Sequence, residues 1–280
     1  MSTSDKIKSE QKMYFNLEYV ERIIARQRDY ENNREHIGTT RIFQSIALTH
    51  LKKNEAKSIM IANLGAGACI DELGDLFDYL SARAGKISWV DHSPFMIKFA
   101  KEYLPKKYLD TVEIYQQDWL TWLNTRIDET LDFVFMEYTF NYVDDLDKFF
   151  KLLAKKMSKK AIFAANPNLY PRGLKSETTN AFYSINGQMI ADGTVEYPVS
   201  GDVIGVHFKT AVNSRQTITS YKITYLDKND ILKAATKYFK KATILDNWQQ
   251  NKEYVNEFDR LSKNQKLDFN KDKIYLIMEK

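Results

Sequence analysis

The chain has 280 residues, 44% hydrophobic and 13% aromatic, which is enough apolar material for one large core. Its 41 basic and 37 acidic side chains leave a formal net charge of +4 spread along the chain, so no strong field and no nucleic-acid track is marked. The single Cys69 excludes an intramolecular disulfide, no run approaches the roughly eighteen apolar residues of a membrane span, and the polar start from Met1 to Gln11 lacks a secretory apolar stretch. A cytoplasmic protein is the expectation.

Apolar side chains recur at helical spacing from Lys12 to about Leu51, as at Val20, Ile23 and Ile24 and again at Ile42, Ile46 and Leu51, which predicts two or three helices. Lys57 to Leu64 reads as a strand ending in Gly65-Ala66-Gly67, after which helical periodicity resumes from Ile70 to Arg83. A second strand, Lys86 to Val90, closes at Asp91 and leads into a helix from about Pro94 to Tyr103. Thr111 to Tyr115 is a third strand before Gln116-Gln117-Asp118, and Leu131 to Met136 a fourth. A helix from Leu146 to Met157 and a fifth strand, Ala161 to Ala165, follow. This alternation predicts an α/β fold with a parallel, doubly wound sheet.

The rhythm then changes. Val195 to Val199, Val203 to Thr210 and Gln216 to Tyr225 read as successive extended segments, an inserted β-meander at about 195–226. Asp227 is a candidate N-cap for a helix to Tyr238, and Ala242 to Leu245 and Lys273 to Met278 are two late strands, with a helix and a loop between them.

The glycine turn between the first strand and the first helix lets backbone approach a ligand, and the helix start presents free N–H groups and partial positive charge. A dinucleotide fingerprint would carry a third glycine where this chain has Ile70, which weakens a nicotinamide reading. Asp91, closing the second strand, is placed to accept both ribose hydroxyls of a nucleoside. It is also suited to capping the next helix.

These residues resemble the class I S-adenosylmethionine-dependent methyltransferases from about Ile59 to Ala165, with weaker agreement to Lys280. Asn63-Leu64-Gly65-Ala66-Gly67-Ala68-Cys69 is similar to the family's acidic-Leu-Gly-x-Gly-x-Gly motif, with Asn63 in place of the acid and Cys69 in place of the third glycine. Asp91-His92-Ser93-Pro94-Phe95-Met96-Ile97 resembles the segment whose acid holds ribose and whose methionine lies against adenine. Asp118-Trp119 resembles the pair at the adenine edge, and Met136-Glu137-Tyr138 stands where the family floors the methyl-transfer site.

The resemblance implies a doubly wound, mostly parallel seven-stranded sheet with an antiparallel last strand. It also implies S-adenosylmethionine held by Asn63, Gly65, Ala66, Gly67, Asp91, His92, Met96, Asp118, Trp119 and Glu137. The helices of residues 1–57 are expected to form a lid on a Rossmann-like domain of residues 58–280. Arg34 and Arg41 are candidates for the cofactor carboxylate, or else belong to a solvated helix face.

A hydroxyl acceptor benefits from a general base, for which Glu137, Tyr138, His36 and His207 are the candidates. Appended helices and a β insertion suit a small-molecule methyl acceptor, and the insertion is equally a candidate dimer contact. The histidines are too scattered for zinc spacing, while Asp144, Asp145 and Asp147 suit a helix start, so no metal is expected. Cys69 reads as a small buried residue, not a nucleophile. A non-catalytic cofactor-binding module, a nucleic-acid or protein methyltransferase and a nicotinamide oxidoreductase stand as alternatives.

Overall fold

Inner strands buried on both faces read as near-continuous apolar runs, and five strands build the centre of the molecule. They are β1 (Met60–Leu64), β2 (Lys86–Asp91), β3 (Val112–Gln116), β4 (Leu131–Met136) and β5 (Met157–Ala165) in the computed structural model. The structure describes residues 16–29, 34–54, 58–167, 174–175, 181–212, 215–262 and 274–280. Seven strands form the main sheet in the order β12-β13-β5-β4-β1-β2-β3, with β12 at Lys241–Leu245 and β13 at Tyr275–Glu279. The first five run parallel, and β13, the last strand, is antiparallel to both β5 and β12.

Alternate residues of each strand face opposite helical layers. Ile61, Phe133 and Phe135 join one core cluster, and Ala62, Leu64, Val134 and Met136 the other. The first layer contains α2 (Arg34–Asn54), α3 (Gly74–Ser81), α4 (Pro94–Tyr103) and α8 (Lys252–Leu261). The second contains α5 (Trp119–Thr125), α6 (Leu146–Lys156) and α7 (Lys228–Ala235). Helix α5 has no counterpart in the sequence reading, because seven residues are too few to show a helical period.

The N-terminal helices differ from each other. Helix α1 (Leu17–Gln27) buries Val20 and Ile24 against Met96 and its neighbours on α4. Helix α2 instead belongs to the core: Ile42, Phe43, Ile46, Ala47, Leu48 and Leu51 are all buried, and the Phe43 ring stacks on Phe135 of β4 at 5.8 Å. A lid made of both helices therefore does not describe α2.

Extended structure after β5 begins earlier than the 195 read from the sequence. It comprises β6 (Leu174–Lys175), β7 (Ala181–Ile185), β8 (Gln188–Met189), β9 (Val195–Glu196), β10 (Val203–Val212) and β11 (Arg215–Thr224). Four of them make a second, antiparallel sheet in the order β11-β10-β7-β8. Its apolar face, with Ile204, Val206 and Ile223, packs with Tyr142, which follows β4. Among the described residues no helix is long and apolar enough to cross a membrane.

Candidate functional site

The strand order reverses between β1 and β4, and ligands of open α/β sheets bind beyond the strand ends at such a switch point. Here the ends of β1, β2 and β4 surround a cavity of about 910 Å³, counting its open mouth. Three parts of the chain converge on it: the turn after β1, the end of β2 and the segment after β4. Ile23 and Gln27 of α1 and Thr40 of α2 close it from the N-terminal side.

The glycine turn is held by its surroundings. Gly65 and Gly67 have φ of +71° and +65°, a region that favours glycine. At Gly65 space also matters, because a Cβ would lie 2.6 Å from the Thr139 methyl group. At Gly67 nothing lies within 4 Å of that position, so the backbone faces open cavity. The Val90 carbonyl accepts from the N–H groups of Gly65 and Ala66 at 2.8 and 3.0 Å, and the Trp89 indole donates to the Gly67 carbonyl at 2.8 Å.

Asp91 ties the turn to the next helix. Its Oδ2 accepts from the Gly67 N–H at 2.9 Å and its Oδ1 from the Ser93 N–H at 2.8 Å. Ser93, not Asp91, is the N-cap of α4, accepting from the Met96 N–H at 3.2 Å. A carboxylate has about four lone-pair sites, so each oxygen keeps one direction for a ligand hydroxyl.

Beyond β4, Tyr138 has φ +58°, and its N–H donates to Asn166 Oδ1 at 2.7 Å. This bend brings Glu137, Tyr138, Thr139 and Tyr142 to the cavity wall. The Thr40 hydroxyl donates to Glu137 Oε1 at 2.8 Å.

Of the residues expected from the sequence, Asn63, Gly65, Ala66, Gly67, Asp91, His92, Met96, Trp119, Glu137 and Tyr138 all line this one cavity. Asp118 does not: its Oδ1 caps α5, accepting from the Thr121 N–H at 2.9 Å. Arg41 pairs with Asp75 at 2.7 Å and is likewise absent from the wall. The side chains of Arg34 and His36 lie outside the described residues.

His207 stands in the second sheet. Serines bond both its ring nitrogens, Ser184 at 3.0 Å and Ser220 at 2.7 Å, while Phe182 stacks on the ring. Its neighbours Ile204 and Val206 point to the opposite face, the one that carries Tyr142, so His207 is not brought to the cavity. Burial lowers its pKa. Asp145 caps α6, and Asp147 is engaged by Lys237 and Tyr238.

Sequence reasoning missed Thr40 and Glu72, both on the cavity wall. Glu72 follows the glycine turn and reads there as an ordinary acid near a helix start. Burial raises its carboxyl to about 8, with the Glu137 charge second among the causes. Burial also pushes the Cys69 thiol up, which keeps it protonated and unreactive.

A family model for a methyltransferase domain matches residues 64–279. The chain belongs to this family. It is a class I S-adenosylmethionine-dependent methyltransferase, and S-adenosylmethionine is its cofactor. Among similar solved structures is an S-adenosylmethionine-dependent methyltransferase from Clostridium acetobutylicum, 16% identical, covering 86% of this chain and 91% of that one with a TM-score of 0.50. Another is a sugar N-methyltransferase from Streptoalloteichus, 11% identical, covering 100% of this chain and 93% of that one with a TM-score of 0.49. At such identities the likeness is one of fold. No curated protein matches the chain.

The methyltransferase cavity fits this cofactor on its own evidence. Gly67 leaves open space beside the turn, and Asn63 Oδ1 is buried with no hydrogen-bond partner among the described residues. A buried acceptor in that condition costs roughly 1–3 kcal/mol, a cost that a donor on a bound ligand removes.

Proposed function

We propose that this methyltransferase modifies a small-molecule acceptor, with the cofactor laid across the ends of β2, β1 and β4. Asp91 would accept the ribose hydroxyls, Met96 and Trp119 would flank adenine, and His92 would border the nucleoside. Asn63, Gly65, Ala66 and Gly67 would follow the amino-acid end. The adenine edge falls to Trp119, which lines the cavity, whereas Asp118 caps α5 and lies off the wall.

When bound, the cofactor supplies a methyl group on a positively charged sulfur, open to in-line displacement. The protein's task is then mainly alignment, because holding two reactants in register removes much of the barrier. Tyr138 and Tyr142 carry hydroxyls on the wall after β4 and would orient the acceptor. Helix α1 would cover the site and exclude water, a role that fits its thin contact with α4. Glu137 and Tyr138 remain the candidate groups for handling an acceptor proton; His207 does not, for it stands on another surface.

The observation that carries the small-molecule reading is the cavity itself. It is a concave site at the switch point of the sheet, walled by α1, α2, the turn after β1 and the segment after β4, the form that small-ligand sites take. No lysine or arginine lines it among the described residues, and nucleic-acid tracks depend on those side chains.

The test is release of S-adenosylhomocysteine from the cofactor in the presence of small amines, alcohols, thiols and carboxylic acids, with oligonucleotides and peptides in parallel. Turnover with a compact acceptor supports the proposal. Turnover only with a polymer overturns it, and cofactor binding without any transfer favours the non-catalytic module.

A further inference from the structure

Glu72, Thr40 and Glu137 meet in the cavity from three separate elements, and no step above uses them together. Glu72 lies in the short 3-10 turn Ile70–Leu73 and is 8% exposed; Thr40 comes from α2 and is 4% exposed; Glu137 follows β4. Thr40 has one hydroxyl hydrogen, and it goes to Glu137. Thr40 also stands against the Glu72 carboxyl, where it favours the ionised form against the larger effect of burial. Toward a protonated Glu72, however, the same oxygen is an acceptor. Thr40 and Glu137 are hydrogen-bonded, and the Glu72 carboxyl lies on the same wall of the cavity, so two carboxyl groups and one hydroxyl meet there.

Among the described residues, the acids around Glu72 act in the same direction as its burial. Burial raises its carboxyl most, followed by Glu137 and Asp71, with Thr40 and Arg28 opposing. Arg28 is committed elsewhere, pairing with Asp71 at 2.9 Å and lying 4.0 Å over the Tyr103 ring. From α2, Gln44 bonds only the Glu72 backbone carbonyl, at 2.8 Å. Across the cavity stand Asp91 and His92, and Cys69 beside the turn is neutral.

We propose that Glu72, Thr40 and Glu137 form a proton-sharing clamp for the cofactor's ammonium group: without ligand the pair holds one proton and one negative charge, and the bound ammonium replaces that proton. This rests on the cofactor placement above. With the nucleoside anchored at Asp91 and Trp119, the far end of an elongated ligand reaches β1, Glu72 and Thr40. Its ammonium meets the pair, and its carboxylate is repelled toward the N–H groups of the turn. On binding, the Glu72 O–H bond breaks, the proton passes to solvent, and ammonium N–H groups donate to both carboxylates. No other bond changes.

The experiment is calorimetric titration of the intact protein at pH 6.5, where the ligand's own amine is already protonated, in buffers of low and high ionisation enthalpy. The expected result is release of about one proton for each S-adenosylmethionine or S-adenosylhomocysteine bound, and none for methylthioadenosine, which lacks the ammonium. Affinity for S-adenosylmethionine should rise by up to tenfold per pH unit from about pH 6, peak near pH 8, and fall above it as the ligand's ammonium loses its proton. Glu72→Gln should bind with no proton release and a flat profile between about pH 6 and 7. Equal enthalpies in both buffers, or a proton still released by Glu72→Gln, would overturn the clamp while leaving the cofactor placement intact. Absence of S-adenosylmethionine binding would overturn both.

Discussion

Helices α1 and α2 read from the sequence as one N-terminal unit, yet they hold opposite positions in the molecule. Both carry apolar residues at helical spacing. Helix α2 buries its stripe between the sheet and α8 and, among its described side chains, sends only Thr40 to the cavity wall, whereas α1 rests on α4 and offers Ile23 and Gln27 to the cavity. Periodicity reveals that a helix has an apolar face, not what that face meets. An element fixed in the core can position a cofactor, and one that rests on the surface can open and close over it.

The sharpest way to break this contrast is Phe43→Ala. Losing a buried phenylalanine costs roughly 3–5 kcal/mol, and the ring stacks directly on β4. The expected outcome is a drop in Tm on the order of 10 °C by calorimetry. A loss of cofactor affinity with an unchanged Tm would instead assign α2 to the covering layer.

Next in size is Asp91→Ala. Two hydrogen bonds to the carboxylate hold the turn, and ligand hydroxyls would add more; each charged bond contributes roughly 1.5–3 kcal/mol. Affinity for S-adenosylhomocysteine should fall at least about a hundredfold by titration calorimetry. An affinity within threefold of the parent would remove Asp91 from the binding site.

Glu72→Gln tests the buried carboxyl through stability alone. The folded state holds its proton up to about 8, against an ordinary value of 4.5. Between those values the folded state binds more protons than the unfolded chain. Stability therefore falls as pH rises through that window and levels off above it. Glutamine cannot ionise, so the variant should melt higher than the parent at pH 8.5 and converge with it near pH 5. Parallel Tm curves across that range would contradict the assignment. The smallest effect is expected from Ile24→Asp in α1: affinity for the cofactor weaker by about tenfold, with Tm lowered by only a few degrees. A collapse like that of Phe43→Ala would place α1 in the core as well.

What the sequence made legible was local. The turn Gly65 to Gly67 and Asp91 lie where a strand meets a helix, and the residue types state the geometry directly. Strand β4 stood out as an apolar run, and the Asp227 cap stood out by residue type and position. The short elements did not: α5 and the two-residue strands β6 and β8 carry too few residues to establish a period. Asp118 was ambiguous for a chemical reason, since one carboxylate serves equally as a helix cap and as a ligand contact. The pairing of Thr40 with Glu137 spans 97 positions, and only the folded chain brings them together. His207 had the right chemistry on the wrong surface, which strand alternation settles only once the register is known.

The central claim is that the cavity at the ends of β1, β2 and β4 binds S-adenosylmethionine. Thermal denaturation of ligand-free protein with S-adenosylmethionine, S-adenosylhomocysteine and NAD(H) in parallel tests it most directly, because a ligand of the native state raises Tm by mass action. The account predicts a higher Tm with the two adenosyl ligands and none with NAD(H). An unchanged Tm at saturating adenosyl ligand, or a rise with NAD(H) alone, would contradict it.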